Sequence, residues 1–325
     1  MSGISRKKHH QYDVKANIDL TNLPSVKGFD FNENFDFKKF LESYATTGFQ
    51  ATNLGRAISI VKQMRKDNAT IFLSYTSNMV SSGLRDIIRW LVEHKKINYL
   101  ITTAGGIEED ILKVSGDFYI GNFDVKGRQL FNVGVSRIGN IFVSNERYAA
   151  FEQFMTPFLD EIQKQKKISG ITFLKELGKA INDKSSILYW AYKNDIKVIC
   201  PAFTDGALGD MLYFAKQRYP DFQIDILQDM KELIDETLLL EKSGVIALGG
   251  GVPKHYALNA HIFREGADYA VYLTTAQEFD GSDSGGNIEE AITWAKVKVN
   301  APSVKVNCDA TIIFPLLVAG AFLEK

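Results

Sequence analysis

The stretch from residue 277 to residue 296 carries side chains whose types and spacing are suited to binding a ligand. They are acids, one aromatic ring and one lysine: Glu278, Asp280, Asp283, Glu290, Trp294 and Lys296. Carboxylates and the face of an aromatic ring both attract cations, and apolar surface beside them favours a ligand with a carbon chain. This combination predicts a pocket for a cationic, partly apolar ligand.

A short helix has to position the second half of this stretch. Asn287 is a suitable N-cap, and Glu290 three residues later completes a capping-box pattern. On a helical wheel Lys296 lies about 40° from Ile292 and about 20° from Glu289, so we expect the lysine to face inward beside a carboxylate. The alternative is an exposed helix end, where the helix dipole favours a lysine.

Acids outnumber lysines around this stretch and at the other predicted strand ends. The acids are Asp205, Asp210, Glu278, Asp280, Asp283 and Glu290, and the lysines are Lys254 and Lys296. An acid-rich cleft favours a polycation, and a polyamine meets that requirement. The alternative is that some of these acids cap the N-termini of helices.

Six short apolar segments are predicted strands, and each is followed by glycines or small polar residues and then by a helical pattern. They lie at 70–75, 99–103, 197–201, 244–248, 269–273 and 304–308. This repeat predicts an α/β fold with a doubly wound, mostly parallel, Rossmann-like sheet. Helical spacing at 37–44 and 54–64 predicts an N-terminal helical extension. Residues 112–195 are predicted to be an insertion with helices near 146–165 and 174–194.

Small polar clusters follow the predicted strands and should meet at one edge of the sheet. Three clusters are rich in glycine or hydroxyl groups: Ser77, Asn78 and Ser81; residues 103–106; and residues 249–251. Helix N-termini and glycines suit a pyrophosphate, and acids such as Glu109, Asp205 or Asp309 could hold ribose hydroxyls. The chain has no G-x-G-x-x-G fingerprint at these turns, and a tight strand-to-helix turn alone can explain three glycines. The pattern therefore predicts a ligand at the carboxyl edge without identifying a dinucleotide.

Composition restricts the partners and the location that we expect. The chain has 325 residues, a net charge of −1 and two cysteines, Cys200 and Cys308. This charge gives no argument for binding nucleic acid or a membrane surface, and the apolar runs are too short to span a membrane. We expect free thiols in a reducing cytoplasm, and no metal site, because the cysteines and histidines lack ligand spacing. Residues 1–25 are predicted to be a mobile basic tail and residues 26–325 a single domain.

From about residue 27 to its last residue, the chain resembles the deoxyhypusine synthase family. Seven motifs in order carry the resemblance: Thr-Thr-Gly-Phe-Gln-Ala-Thr-Asn at 46–53, Tyr-Thr-Ser-Asn at 75–78, Thr-Thr-Ala-Gly-Gly-Ile-Glu-Glu-Asp at 102–110, Thr-Asp-Gly-Ala-Leu-Gly-Asp at 204–210, Leu-Gly-Gly-Gly-Val-Pro-Lys-His at 248–255, Thr-Ala-Gln-Glu-Phe-Asp-Gly-Ser-Asp-Ser-Gly at 275–285 and Trp-Ala-Lys at 294–296. The resemblance implies NAD-dependent transfer of the aminobutyl group of spermidine, through an enzyme-lysine imine, to one lysine of the translation initiation factor 5A precursor. Deoxyhypusine would form and 1,3-diaminopropane would leave. The resemblance also implies a homotetramer with active sites at subunit interfaces.

Matching positions imply roles for individual residues. Lys296 matches the lysine that takes the aminobutyl group as an imine, and His255 matches the base for the secondary amine of spermidine. The implied spermidine-binding residues are Asp210, Asp283, Glu290 and Trp294. The implied NAD-binding residues are Ser77, Asn78, Ser81, Thr103, Glu109, Asp205, Gly249, Gly250, Thr275 and Asp309. Attack requires a neutral lysine, so we expect an alkaline activity optimum.

The resemblance leaves two rival functions and contains three departures. Homospermidine synthase shares the fold, NAD and the lysine but passes the aminobutyl group to putrescine, and the motifs do not separate the two. A non-catalytic partner subunit predicts damage at the lysine or the histidine, and both are intact. Tyr256 stands where many members have a second histidine, Ala295 stands where eukaryotic members commonly have glycine, and the N-terminal tail matches little. None of these departures removes a chemical group that the mechanism needs.

Overall fold

The computed structural model describes residues 20–323 of the chain. Its strands are β1 (Thr70–Tyr75), β2 (Tyr99–Ile101), β3 (Tyr119–Ile120), β4 (Val135–Ile138), β5 (Ile141–Ser144), β6 (Lys167–Ser169), β7 (Lys197–Ile199), β8 (Gln223–Asp225), β9 (Ser243–Leu248), β10 (Tyr269–Thr274) and β11 (Ser303–Asn307). Its α-helices are α1 (Phe37–Thr47), α2 (Phe49–Lys66), α3 (Asn78–Ser81), α4 (Leu84–Glu93), α5 (Ala104–Ser115), α6 (Gly127–Asn132), α7 (Asn145–Ile162), α8 (Gly170–Ile181), α9 (Ile187–Asn194), α10 (Ala207–Arg218), α11 (Ile226–Leu238), α12 (Gly251–Asn259), α13 (Ile288–Thr293) and α14 (Ala310–Phe322). Of the predicted mobile tail, residues 1–19 lie outside the described residues.

Six parallel strands form the central sheet, in the order β11-β10-β9-β1-β2-β7. In the register, Thr70 of β1 lies opposite Ser243 of β9, and Phe72 of β1 lies opposite Tyr99 of β2. Because every pairing in this sheet is parallel, the carboxyl ends of all six strands lie at the same edge. The predicted α/β class and all six predicted strands are confirmed, with bounds that agree within two residues.

Successive side chains of the central strands enter two separate cores. Ile71, Leu73 and Tyr75 of β1 pack with residues of α2, α4, α5 and α14. Phe72, which points to the opposite face, packs with Leu258 of α12 and with residues of α11 and α13. Burying a side chain as large as Phe72 contributes about 1.5–3 kcal/mol to folding. Helices therefore cover both faces of the sheet, as the doubly wound prediction requires.

The predicted N-terminal helical extension is also confirmed. Its first helix, α1, begins after Asp36, whose carboxylate accepts the backbone N–H of Lys39 at 2.8 Å. The break between α1 and α2 is Gly48 alone, which has a φ of 102°. The side-chain oxygen of Gln50 accepts the backbone N–H of Asn307 at 2.7 Å, and this bond ties α2 to the carboxyl end of β11.

The insertion contains two more α-helices than the sequence predicts, and one of them is α6. The helix predicted near 146–165 is α7, whereas the helix predicted near 174–194 is two helices, α8 and α9. Asn182 ends α8 in the left-handed conformation, and a carboxylate oxygen of Asp110 accepts the N–H of Leu188 at 3.0 Å to cap α9. The prediction of one helix was wrong because it missed the end at Asn182 and the N-cap at Ser186, whose side chain accepts the N–H of Tyr189 at 3.1 Å. Asp110 adds its bonds to this start from a distant part of the sequence.

Two small sheets in and beside the insertion also escaped prediction. One is antiparallel, in the order β3-β5-β4, and the other pairs β6 with β8 in parallel. Their strands have only two to four residues, which is too short for an alternating pattern to stand out.

Candidate active site

The triple-glycine turn after β9 lies between two other loops at the carboxyl edge of the sheet. Gly249 and Gly251 have φ values of 77° and 63°, in the left-handed region that favours glycine. A Cβ built on Gly249 would lie 3.2 Å from Oγ1 of Thr76, in the loop after β1. A Cβ built on Gly250 would lie 2.3 Å from Cα of Ser284, in the loop after β10. The glycines therefore allow the ends of β1, β9 and β10 to approach one another closely.

Lys296, His255 and Asp283 form a chain of contacts beside this turn. Nδ1 of His255 lies 3.1 Å from Oδ1 of Asp283 and 3.4 Å from Nζ of Lys296. Lys296 is buried, whereas the His255 side chain is about half exposed. If Nδ1–H donates to Asp283, the lone pair of Nε2 can accept a proton. This arrangement can hold an amine nucleophile next to a base that a carboxylate orients.

Lys296 lies just beyond α13, not on it. The predicted N-cap is confirmed, because the side chain of Asn287 accepts the N–H of Glu290 at 2.8 Å. After the helix, Ala295 has a φ of 53° and the N–H of Lys296 returns to the carbonyl oxygen of Ala291 at 3.0 Å, which is a Schellman turn. The helical-wheel prediction was therefore wrong in its geometry. The lysine is buried because the left-handed residue turns the chain.

Glu290 lies in the first turn of α13, and Trp294 is the C-cap residue of the same helix. Oε2 of Glu290 lies 3.0 Å from the position of a Cβ built on Gly286, so its carboxylate is against the loop that carries Asp283. Trp294 follows the last helical residue and is 64% exposed, with its ring centroid 5.9 Å from Nζ of Lys296. Together they offer a negative charge and an open aromatic face, both of which attract a cation.

Ser77, Ser81, Thr103 and Glu109 come together behind the loops that follow β1 and β2. Oγ of Ser81 donates a hydrogen bond to Oε2 of Glu109, and both side chains are buried. A Cβ built on Gly105 would lie 2.6 Å from Cβ of Ser77, so the first turn of α5, which begins after Thr103, packs on the β1 loop. Burial raises the pKa of Glu109 to about 7, although the hydrogen bond from Ser81 opposes the rise.

The other predicted nucleotide-binding residues outside the glycine turn are more open or already bonded. Oδ1 of Asn78 accepts a hydrogen bond from the Thr76 hydroxyl. Oδ1 of Asp309 accepts the N–H of Thr311 at 2.7 Å, so this acid caps α14. Thr275 is exposed immediately after β10. Asp309 therefore has a structural role at the start of α14, which the sequence analysis did not predict for it.

Asp205 and Asp210 lie apart from Lys296, beyond β7 at the far edge of the sheet. Four strand spacings separate β7 from β10, which is roughly 19 Å at about 4.8 Å per strand. Both side chains are exposed. Behind them, Oε2 of Glu108 accepts the N–H of Leu208 at 2.7 Å, and burial raises the pKa of Glu108. One chain therefore does not bring these two acids to the lysine.

Two buried lysines that were not predicted as site residues hold the loop of Asp283. Nζ of Lys254, in α12, donates to the carbonyl oxygen of Asp283 and, at 3.1 Å, to that of Gly286. Nζ of Lys305, in β11, donates to the carbonyl oxygen of Gly285 at 2.5 Å. Their side chains are only 4% and 8% exposed. In β11, Lys305 stands between two buried valines. Because side chains alternate along a strand, this was the one sequence signal that the lysine side chain lies on the opposite face of the strand from the valines.

Residues 20–323 offer neither a metal-binding cluster nor a membrane-spanning helix. Within that range, the His, Cys, Asp and Glu side chains form no group of three or more that could hold a metal ion. The same residues contain no helix with both the length and the apolar character needed to cross a membrane. Cys200 and Cys308 are both unpaired.

Comparisons with known proteins relate the chain to one family. A sequence model described as deoxyhypusine synthase matches residues 39–321. Curated deoxyhypusine synthases from Musa acuminata and Arabidopsis thaliana are 47% and 46% identical to it, over 97% and 92% of this chain and 92% and 90% of their own lengths. A crystal structure of a protein assigned as a deoxyhypusine synthase from Entamoeba histolytica matches with a TM-score of 0.68 and 32% identity, covering 91% of this chain and 96% of that one.

Proposed function

Because the chain belongs to the deoxyhypusine synthase family, we propose that it transfers the aminobutyl group of spermidine to one lysine of the translation initiation factor 5A precursor. Its relatives are transferases of hypusine biosynthesis, and so is this chain. The proposed cofactor is NAD, and the proposed products are deoxyhypusine and 1,3-diaminopropane. The observation that carries the proposal is the contact between Lys296, His255 and Asp283 beside a glycine turn.

The residues at the carboxyl edge fit NAD. Gly249 and Gly251 adopt left-handed backbone, and among the described residues no atom lies within 4 Å of a Cβ built on Gly251, so a phosphate can approach. The hydroxyl of Ser77 and the carboxyl group of Glu109 are suitable partners for ribose and phosphate oxygens. The other proposed contacts are Asn78, Ser81, Thr103, Asp205, Gly250, Thr275 and Asp309. Bound NAD would supply the hydride acceptor that makes the donor amine electrophilic.

His255 and Lys296 have separate proposed roles. With Nδ1 held by Asp283, Nε2 of His255 takes the proton from the secondary amine of spermidine. Nζ of Lys296 then attacks the oxidised carbon, the bond from that carbon to the departing nitrogen breaks, and 1,3-diaminopropane leaves. The aminobutyl group remains on Lys296 as an imine until the acceptor lysine displaces it by the same exchange. The hydride that bound NAD would have taken from the donor would then be returned to the imine on the acceptor lysine, which balances the oxidation and gives the secondary amine of deoxyhypusine. Burial of Lys296 limits the access of water that would hydrolyse this imine.

The spermidine pocket is proposed to combine residues from two copies of the chain. The cationic donor would lie against Asp283, Glu290 and Trp294 of one copy and Asp210 of another, because Asp210 is four strand spacings from the lysine region of its own chain. The helix of Asp210 also exposes the aromatic side chains at positions 213 and 214, by 60% and 54%. Exposed aromatic side chains beside a binding acid are typical of a surface that a partner covers. We therefore propose a homotetramer with active sites at subunit interfaces.

The domain and location predictions remain part of this proposal. We propose that residues 26–325 form one catalytic domain, because the same six-stranded sheet carries both halves of the proposed site. Residues 1–25 are treated as a tail. A cytoplasmic location is proposed because Cys200 and Cys308 are unpaired thiols.

A labelling experiment tests the function and its nearest rival together. The protein is incubated with NAD, spermidine labelled in its butyl carbons, and either the factor 5A precursor or putrescine. We expect NAD-dependent label on one lysine of the factor. Label on putrescine alone would mean homospermidine synthesis instead. Borohydride added before the acceptor should trap label on the peptide containing 294–296, and label elsewhere, or none, would overturn the role of Lys296.

A further inference from the structure

Two lysine ammonium groups hold the loop between β10 and α13. Lys254 reaches the loop from α12 and Lys305 reaches it from β11, and between them they bind the carbonyl oxygens of Asp283, Gly285 and Gly286. Both lysines are buried, so each charge has lost most of its hydration and depends on protein partners. Three carbonyl groups within four residues are thus bound by two buried cations.

Each of the two lysines also has a carboxylate close to its ammonium group. Nζ of Lys254 lies 4.0 Å from Oδ2 of Asp283 and 4.8 Å from the ring centroid of Tyr272. Burial lowers the pKa of Lys254, and the charge of Asp283 opposes this. Nζ of Lys305 lies 3.9 Å from Oε1 of Glu278, at the start of the same loop. Each ammonium group therefore has a carboxylate nearby in addition to its carbonyl partners.

The shape of this loop sets the position of the Asp283 carboxylate. A Cβ built on Gly285 would lie 1.6 Å from the carbonyl oxygen of Gln277, so the loop folds closely on itself. Oδ1 of Asp283 reaches Nδ1 of His255 at 3.1 Å. Oδ2 of Asp283 is buried and has no hydrogen-bond partner among residues 20–323, and the ammonium group of Lys254 lies 4.0 Å from it.

We propose that Lys254 and Lys305 are positioning residues for the reaction. They hold the backbone of residues 283–286 so that Oδ1 of Asp283 orients His255 and the carboxylate keeps its place in the proposed donor pocket. Without either lysine, buried carbonyl groups lose their partners and the loop relaxes toward water. The choice of spermidine as the donor rests on the proposed function, whereas the effect on the loop does not.

The test compares Lys254→Met and Lys305→Met with Lys216→Met. Nζ of Lys216 also donates to two carbonyl oxygens, those of Pro220 and Phe222, but outside the loop, so it is a matched control. We expect the KM for spermidine to rise by about tenfold or more in the two loop variants, while the Kd for NAD changes by less than about twofold. Lys216→Met should leave both values unchanged.

Hydrogen–deuterium exchange of the protein without substrate supplies a second readout. Amides of residues 283–286 should exchange at least about tenfold faster in Lys254→Met and Lys305→Met than in the wild type and Lys216→Met. This readout needs no aminobutyl transfer. If the variants exchange faster but the wild-type protein does not use spermidine, the proposed function is refuted, whereas the effect of the two lysines on the loop is supported.

Three results would overturn the positioning role. The first is unchanged exchange of the loop in both variants. The second is faster exchange with an unchanged KM for spermidine, which would mean that catalysis does not use the restraint. The third is an equal loss of NAD and spermidine binding, which indicates general damage to the fold. If Lys254→Met fails to fold, Lys305→Met alone decides, because its lysine makes one carbonyl bond rather than two.

Discussion

The two halves of the proposed site hold their buried charges in different ways. In the lysine half, Lys254 and Lys305 are buried cations that already have carbonyl and carboxylate partners. In the acidic half, Glu108 and Glu109 are buried carboxyl groups whose hydrogen bonds come from neutral donors, the N–H of Leu208 and a serine hydroxyl. Burial raises the pKa of both acids, to about 7 for Glu109.

This difference shows which half is preorganised. An ammonium group bound to carbonyls keeps its position whether or not a ligand is present, so the lysine half is set in advance. Glu109, with a pKa raised to about 7, is partly protonated near neutral pH, and a cation or a strong donor that arrives with a ligand favours its ionised form. The acidic half is therefore the half whose charge depends on what binds.

Replacing the nucleophile should produce the largest effect, and only in the lysine half. Lys296→Ala should lower transfer by about 10⁴-fold or more, because no other amine takes the aminobutyl group. The NAD Kd, measured by titration, should change by less than about twofold. Lys296→Arg should fail equally, because a guanidinium stays protonated. Loss of NAD binding in the alanine variant would make the lysine structural, and near-normal transfer by the arginine variant would refute the imine.

The acidic half should show the next largest effect, and this effect is on stability. The pKa of Glu109 is about 7 in the folded chain, against an ordinary value of 4.5. Between those pH values the unfolded chain loses a proton that the folded chain keeps, so wild-type stability falls as pH rises through this window and is level above it. Glu109→Gln removes this penalty, which is about 3 kcal/mol.

Urea unfolding at pH 4 and pH 8, at equal protein concentrations, measures the effect of Glu109→Gln. The variant should be more stable than the wild type by up to about 3 kcal/mol at pH 8 and by almost nothing at pH 4. Glu289→Gln, at an exposed carboxylate, is the control and should change stability by less than about 0.5 kcal/mol at either pH. An equal gain at both pH values for Glu109→Gln would show that its pKa is not raised.

Asp210→Ala tests whether the exposed acid beyond β7 belongs to the donor pocket. Loss of one carboxylate partner should weaken spermidine binding by about 2 kcal/mol, which is roughly a 30-fold higher KM. Binding of NAD should change far less. Steady-state kinetics with varied spermidine, and a separate NAD titration, distinguish the two. Equal weakening of both ligands would assign the carboxylate to a different role.

Co-expression of Asp210→Ala with Lys296→Ala sharpens the same comparison. If each site takes its lysine from one copy and its acid from another, a mixed pair contains one intact site. Random pairing should then restore about a quarter of wild-type activity at low spermidine, where Lys296→Ala alone is inactive and Asp210→Ala alone keeps about one-thirtieth. Activity no higher than the average of the separate variants would mean that both halves come from one chain.

The smallest expected effect concerns the turn that leads to Lys296. Ala295 has a φ of 53°, a conformation that costs an alanine about 1–2 kcal/mol, whereas glycine adopts it freely. Glycine loses more backbone entropy on folding than alanine, and this loss offsets part of the relieved strain. Ala295→Gly should therefore raise the free energy of unfolding by about 0.5–1 kcal/mol. Ala291→Gly, in α13, should lower stability by about 1 kcal/mol. A loss of stability in both variants, by thermal unfolding, would contradict the strain at Ala295.

Amino-acid order alone was enough to predict the central sheet and the edge at which the loops of the proposed site meet. Buried parallel strands are continuous apolar runs, and the turns after them need glycine or small polar residues, so both features are local and visible. The cap at Asn287 and the N-terminal helices were predictable for the same reason. Motifs at 248–255 and 275–285 likewise placed His255 and Asp283 at strand ends, although not their mutual contact.

Folding in three dimensions decided everything that depends on a partner from elsewhere in the chain. Asp110 binds backbone N–H groups at the start of α9 from more than 70 residues away, in addition to the local cap at Ser186. Lys305 meets the Asp283 loop although ordinary lysines are exposed. Lys296 is buried because one left-handed residue turns the backbone after α13. Periodicity reports only which face of an element is apolar, whereas a buried charge is stable only where distant segments supply its hydrogen bonds.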